Sequence, residues 1–537
     1  MADRYQHRRS TTTGEAPTTL LVGEIATNLV DEQVWIGKAD GSPKPLAEMA
    51  AVAAGMRAII GATIAQGSNV SLDVNPTTGV VTISATGGGG GGGFRRGIRL
   101  GFIGTSLIQN NIQSSSSQVS HSSRGWISWA RFFSRGRFFT PVWYDPSVYS
   151  GWEPGGAAGT TRYFRGLNAG VSGQTIAQIA ARKEFLAAAV ECDMIVIDGG
   201  TNDIDTLTAT EIQAAREAIA EYYLGLGIPV VLLPILARST AQWPGGDVKR
   251  QKAAWINQRS RDFCKGREAC WLYDWNQPWA DLTGSYVVPK AGYSNDGLHK
   301  APPGGVAVGE DFANFLADIL PPAQPRVWAQ DDQYSAANNP FGNLLSNPFC
   351  LGTGGSLTGA TGIVANNMRI ELVSGDGAAV GSKEARADGR GEYQVITITP
   401  GSTDTTARFR TANADMATTF PVDTWLQASC EVEISAHAYI RGVTLTLWDV
   451  TAGLTVSDMS PDQYTSPAVR WPSRTYKGLL ETPAIRVSTA NPTFRWRLDI
   501  VLGNTGEGAS GDLVVKAGAV EFRPVEDPRA LVGYTAG

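Results

Sequence analysis

The chain has 537 residues, 42% of them apolar and 18% charged, with a net charge of −5. That length exceeds one ordinary domain of roughly 100–200 residues, and the composition is that of a globular chain and not of a disordered one. No basic stripe of the kind that binds nucleic acid is present, no apolar run of about 18 residues predicts a membrane span, and the opening MADRYQHRRS lacks the apolar segment of a Sec-type signal peptide.

Residues 1–18 are polar and without periodicity, which predicts a disordered tail. Residues 19–86 read as a first module. The short apolar runs LLVGEIATNLV and QVWIG, followed by the turn signal Lys38-Ala-Asp-Gly41, predict a small β element. Leu46, Met49, Ala53, Met56 and Ile60 alternate spacings of three and four, which predicts a helix over 44–64. It is either a short helix on its own domain or part of an oligomeric stalk. Residues 68–85 alternate with period two around Asn75-Pro-Thr-Thr-Gly79, the pattern of a hairpin. Seven glycines, Gly87–Gly93, then predict a flexible linker over 87–94.

Residues 95–325 alternate strand-like and helix-like segments. Ile98–Ile103, Met194–Asp198, Ile228–Leu233 and Trp271–Tyr273 are short apolar runs suited to buried parallel strands. Helical patterns near 173–190, 209–225 and 248–266 lie between them. Such alternation predicts an α/β fold, a three-layer parallel sheet with helices on both faces. Residues 326–340 read as a linker. Over 341–537 the helical periods vanish, and runs such as EYQVITIT, GVTLTLWDV and TFRWRLDIVL predict an antiparallel β-sandwich. The five cysteines fit no zinc pattern and are expected as buried thiols, with pairing of Cys264 and Cys270 left open. No metal is expected.

Four segments carry chemistry. The first strand ends in Gly104-Thr-Ser-Leu107, and a serine past the carboxyl end of a strand sits where open α/β sheets bind ligands. Asn168-Ala-Gly170 precedes a helical segment, where a glycine can present a bare N–H. MIVID runs into Gly199-Gly-Thr-Asn-Asp203, and Asn202 offers a neutral donor of the kind a developing oxyanion needs. Asn295-Asp-Gly-Leu-His299 places a carboxylate three residues from an imidazole, close enough to fix its tautomer. Singly, each also reads as a turn or a cap. Histidine is scarce, with His7, His121, His299 and His437 in the whole chain, and of the two in the α/β unit only His299 has a carboxylate at local reach.

In this order the segments resemble the blocks of the SGNH (GDSL-like) hydrolase family over about residues 95–320. Thr105 stands where that family usually has aspartate. The resemblance implies a serine esterase without cofactor. Ser106 is then the nucleophile, His299 its base and Asp296 the residue that orients the imidazole. The oxyanion hole is formed by Ser106, Gly170 and Asn202. Asp203 is expected to be structural.

Residues Gly23–Gly37 with Ala39-Asp-Gly resemble the N-terminal module of phage tail-fibre proteins. That implies attachment to tail proteins of a virion, a homotrimer, and action at the host surface after release by lysis. Asn343-Leu-Leu-Ser-Asn-Pro348 looks like the opening of carbohydrate-binding sandwich modules, although a purely structural sandwich fits as well. Nine of the fifteen tryptophans lie between Trp126 and Trp279, and core packing is expected for most, with one or two reaching a ligand. The leading expectation is a tail-associated O-acetyl esterase acting on an acetylated bacterial surface glycan. A free lipase or arylesterase, or a receptor-binding fibre that has lost catalysis, are the alternatives.

Overall fold

A computed structural model describes residues 8–14, 16–20, 25–28, 30, 33–37, 43–45, 70–74, 81–85, 97–115, 117–140, 142–144, 163–164, 168–183, 192–322, 327, 329–412, 416–461 and 470–528. The chain divides into two compact units, Met1–Gly92 and Gly93–Gly537.

In the first unit, Arg8–Ser10, Ile25–Asn28, Gln33–Gly37 and Pro43–Pro45 pair in that order into one sheet, over a small core of Leu20, Ala26 and Trp35. The described part of residues 1–18, the segment expected as a disordered tail, contains a strand. Arg8–Ser10 pairs in parallel with Ala26–Asn28, and Asn28 Nδ2 donates to Thr12 O at 2.8 Å. Backbone pairing at a sheet edge needs no apolar period, so the polar sequence carried no signal for it. Val70–Val74 and Val81–Ala85 form an antiparallel hairpin. Pro43–Pro45, at the start of the expected 44–64 helix, is a strand. The rest of that segment and the glycine run lie outside the described residues.

The second unit is built on a parallel sheet. Its strands are β1 (Ile98–Gly104), β2 (Phe138–Phe139), β3 (Asn168–Gly170), β4 (Met194–Ile197), β5 (Val230–Leu232) and β6 (Cys270–Leu272). The order is β2-β1-β4-β5-β6, and β3 shares the β2 edge of β1, beside Phe102–Gly104. Alternate residues of each strand face opposite sides. Ile103, Ile195, Ile197, Val230 and Leu232 pack under α3 (Ile176–Ala180), α4 (Ala209–Gly225) and α5 (Val248–Lys265). Leu100, Phe102, Met194, Val196 and Val231 pack under α2 (Trp126–Ser134) and α6 (Pro302–Ile319). The expected three layers follow directly from this alternation. Among the described residues, no helix is long and apolar enough to cross a membrane.

The C-terminal region is a pair of nine-stranded sheets around one core. It is not purely antiparallel, as expected from the sequence, and it is not built from residues 341–537 alone. The hairpin Ile112–Ser115/Gln118–Ser122, inserted after β1, joins one sheet by parallel pairing with Leu454–Ser460. Trp143–Tyr144 joins the other beside Ala484–Arg486, also in parallel. A strand added at an edge takes whichever direction its connection allows, and period-two alternation reports only that a strand is half buried.

Helix α2 seals the seam between the sheets. Trp126 belongs to the core under the parallel sheet, meeting Phe312 at 5.2 Å between ring centroids. Trp129, one turn on, belongs to the sandwich core and meets Trp471 at 4.7 Å. Both indoles are fully buried, so the reading of these tryptophans as packing residues holds for the pair. Cys264 and Cys270 are buried thiols with their sulfurs 3.0 Å apart.

Candidate active site

The carboxyl end of β1 carries the first group. Thr105 leaves the strand and caps the one-turn helix α1 (Ser106–Gln109), its Oγ1 accepting from Leu107 N–H at 3.4 Å. Ser106 is thereby the first helical residue, with its side chain at the sheet edge and only slightly exposed. The second group comes from the loop before α6. Ser294 Oγ donates to His299 O at 2.7 Å and closes that loop. Gly297, with φ +82°, supplies a left-handed turn between Asp296 and His299 that a side chain would strain.

The two segments meet. Ser106 Oγ lies 2.8 Å from His299 Nε2, and His299 Nδ1 lies 2.6 Å from Asp296 Oδ2. A carboxylate only accepts, so the imidazole proton sits on Nδ1 and Nε2 is left to accept from the serine hydroxyl. Asp296 Oδ1 also accepts from Leu298 N–H at 2.9 Å and His299 N–H at 2.7 Å. Burial works against the Asp296 charge, but the hydrogen bond from the His299 ring and those from the two backbone N–H groups outweigh it and hold the carboxyl at about 2. The arrangement can deprotonate a hydroxyl and hold the imidazolium that results.

The three expected oxyanion donors come from the carboxyl ends of β1, β3 and β4. The Ser106 N–H opens α1, where helical N–H groups lack intrahelical acceptors. The Gly170 N–H donates to Asn168 Oδ1 at 3.3 Å, a long bond. Asn202 Nδ2 donates to Gln174 O at 2.9 Å. An amide nitrogen carries two hydrogens, so this tether orients the side chain and leaves one donor. Asp203 accepts from Ile176 N–H at 2.8 Å and so holds the start of α3, in keeping with a structural role. Burial raises its pKa.

His121, the other histidine weighed as base, is elsewhere. It lies in the inserted hairpin, with Nδ1 2.5 Å from Arg131 Nη1 and 3.0 Å from Asp458 Oδ1. Its carboxylate neighbour is 337 residues away in sequence, beyond any local pattern.

Sequence reasoning gave no role to three residues. Asn168 ties β3 to α1 through Nδ2 to Ile108 O at 3.2 Å. Asp198 ends the β4 segment and accepts from Thr105. Lys300 follows His299 and is buried against Trp275 and Trp279. The one signal for Asp198 was an acidic residue closing an otherwise apolar strand.

Residues 140–304 match the model of the GDSL-like Lipase/Acylhydrolase family. Ser106 precedes that stretch, and its place in the site rests on the geometry above. Among solved structures, a GDSL-like lipase from Bacteroides thetaiotaomicron is 18% identical, over 41% of this chain and 89% of its own, with a TM-score of 0.29. A carbohydrate esterase family 3 protein from Talaromyces cellulolyticus is 13% identical, over 41% and 97%, with a TM-score of 0.27. A G-D-S-L family lipolytic protein from Desulfitobacterium hafniense is 14% identical, over 40% and 98%, with a TM-score of 0.29. Likenesses of this size add nothing to the family match. No curated protein matches the chain. The chain thus carries a GDSL-like lipase/acylhydrolase (SGNH) domain, built on the parallel sheet, with a mostly-sheet region C-terminal to it.

Proposed function

We propose that this protein is a phage tail-associated O-acetyl esterase that removes acetyl groups from a bacterial surface polysaccharide. The observation that carries the reading is the unbroken chain from Ser106 Oγ through His299 to Asp296, at 2.8 and 2.6 Å. Ser106 attacks the ester carbonyl while His299 takes its proton, and the Ser106–acyl ester forms as His299 returns the proton to the leaving alcohol. Water, activated by the same imidazole, then releases acetate. The N–H groups of Ser106 and Gly170 and the Asn202 amide take the oxyanion.

Acylhydrolase chemistry is that of the matched family. The acetyl preference rests on the glycan setting that the sequence resemblances imply. The virion setting, the homotrimer and the sugar-binding role of the sandwich are supported by the sequence resemblances of Gly23–Gly37 and Asn343–Pro348. The test is acetate release from intact host polysaccharide. Wild-type protein is expected to release it, and Ser106→Ala to lose about 10⁴-fold or more in rate. Equal release by both, or a preference for octanoyl over acetyl nitrophenyl esters, overturns the reading.

A further inference from the structure

Asp198 is 2% exposed and spends one carboxylate oxygen on a single residue. Its Oδ2 accepts from Thr105 N–H at 3.1 Å and from Thr105 Oγ1 at 2.6 Å. Thr105 is the residue before Ser106 and the cap of α1. The close approach depends on Gly104, where a Cβ would stand 2.8 Å from Asp198 Cβ. Across the site, Lys300 is the residue after His299. Its buried ammonium lies 4.2 Å from the Trp275 ring centroid and 5.2 Å from that of Trp279, and has no hydrogen-bond partner among the described residues. Burial pulls Lys300 down to about 7, and the Asp198 charge opposes that fall.

The serine half of the site is therefore anchored through the neighbour of Ser106. We propose that Asp198 is a positioning residue for Ser106. Its two hydrogen bonds fix the Thr105–Ser106 turn, so that the nucleophile is braced by a buried acid. The proposal rests on the esterase reading of Ser106 and His299. Its physical motive is that these residues are 193 positions apart, with a hydroxyl and an imidazole that must stay in hydrogen-bond contact. Displacement of a reacting group by about 1 Å costs on the order of a hundredfold in rate.

Thr105→Val deletes the hydroxyl at nearly constant shape, and Thr105→Ser restores it. With a nitrophenyl acetate, the valine variant is expected to lose about tenfold in kcat, the worth of one buried hydrogen bond to a charged group, with KM within about twofold of wild type. The serine variant is expected to recover to within about threefold of wild type. The double variant Asp198→Asn/Lys300→Met removes the Asp198 charge together with that of Lys300 and is expected to fold and to show the same kcat loss as Thr105→Val. Wild-type kcat in Thr105→Val or in the double variant overturns the proposal. So does an equal loss in the valine and serine variants, or a failure of both the valine and the double variant to fold, which makes the contact a structural staple. Failure of the esterase reading is distinct: wild-type protein then hydrolyses no ester, and a fluorophosphonate probe does not label Ser106.

Discussion

Among the described residues there are two histidine–aspartate contacts, and they are built for opposite ends. At the edge of the parallel sheet, His299 Nδ1 faces only Asp296 and Nε2 faces a hydroxyl, with the ring side chain 33% exposed. At the seam with the sandwich, His121 Nδ1 faces Asp458 and the Arg131 guanidinium together, and the ring is buried. A guanidinium only donates, so Nδ1 of His121 accepts and the proton lies on Nε2. Burial and then the Arg131 charge both lower the His121 pKa, and the contacts to Asp458 do not make up the difference. The same pair of residue types thus gives an imidazole facing a hydroxyl, with a defined tautomer, at one place and a buried packing residue at the other. Partners and solvent decide the role.

The sharpest way to break this contrast is at Asp296. Asp296→Asn keeps the shape of the side chain but no longer fixes the Nδ1–H tautomer. It is expected to lower kcat on a soluble acetyl ester by about 10⁴-fold, with KM little changed. A loss under about tenfold would mean that His299 is oriented by something else. Because Asp296 holds its charge down to about pH 2, it is expected to add no acid step of its own to the rate profile above pH 3. Two separable acid steps above pH 3 would contradict the geometry.

The seam is tested through packing. Trp129 is fully buried, donates from Nε1 to Ser123 O at 2.6 Å and crosses Trp471 edge to face. Trp129→Ala is expected to cost about 3–5 kcal/mol in urea unfolding, by lost transfer energy and the cavity left behind. Unfolding should stay a single transition if the inserted hairpin and the sandwich are one cooperative body. An early transition limited to the sandwich would show that the shared strands do not couple the two.

What could be read from the sequence follows the range of the forces involved. The strands of the parallel sheet are short and mostly apolar, the serine turn sits directly at the end of one, and the Asp296–His299 pair lies within one loop. Gly104-Thr-Ser106 and Asp296-x-x-His299 were therefore visible as local patterns. The recruitment of Gln118–Ser122 beside Thr455–Ser460 was not, because the pairing is between backbones and the partner is more than 300 residues on. The tryptophans from Trp126 on were legible as packing residues, but not as a set whose Trp126 and Trp129 feed two different cores. Thr105 read as a departure from the family pattern. Its Asp198 partner shows that a carboxylate stands beside the nucleophile turn after all, delivered from the next strand.

The smallest expected effect separates the histidines by pH. His121→Gln removes the imidazole from the seam and leaves the catalytic edge untouched. Hydrolysis of a soluble ester is expected to stay within about threefold of wild type, at a stability cost of about 1–3 kcal/mol for the broken buried contacts. The sign of the pH term follows from the lowered pKa. In the unfolded chain His121 takes up a proton near its ordinary value of 6.5, while the folded chain resists doing so until a lower pH. The unfolded state binds more protons in that window, so the imidazole's contribution to stability is complete above 6.5 and drains away as the pH falls below it. The gap in Tm between wild type and His121→Gln should therefore be widest near pH 8 and close toward pH 5. A gap that widens on acidification would mean that the buried ring is held as imidazolium by Asp458, and the two histidine–aspartate contacts would be alike after all.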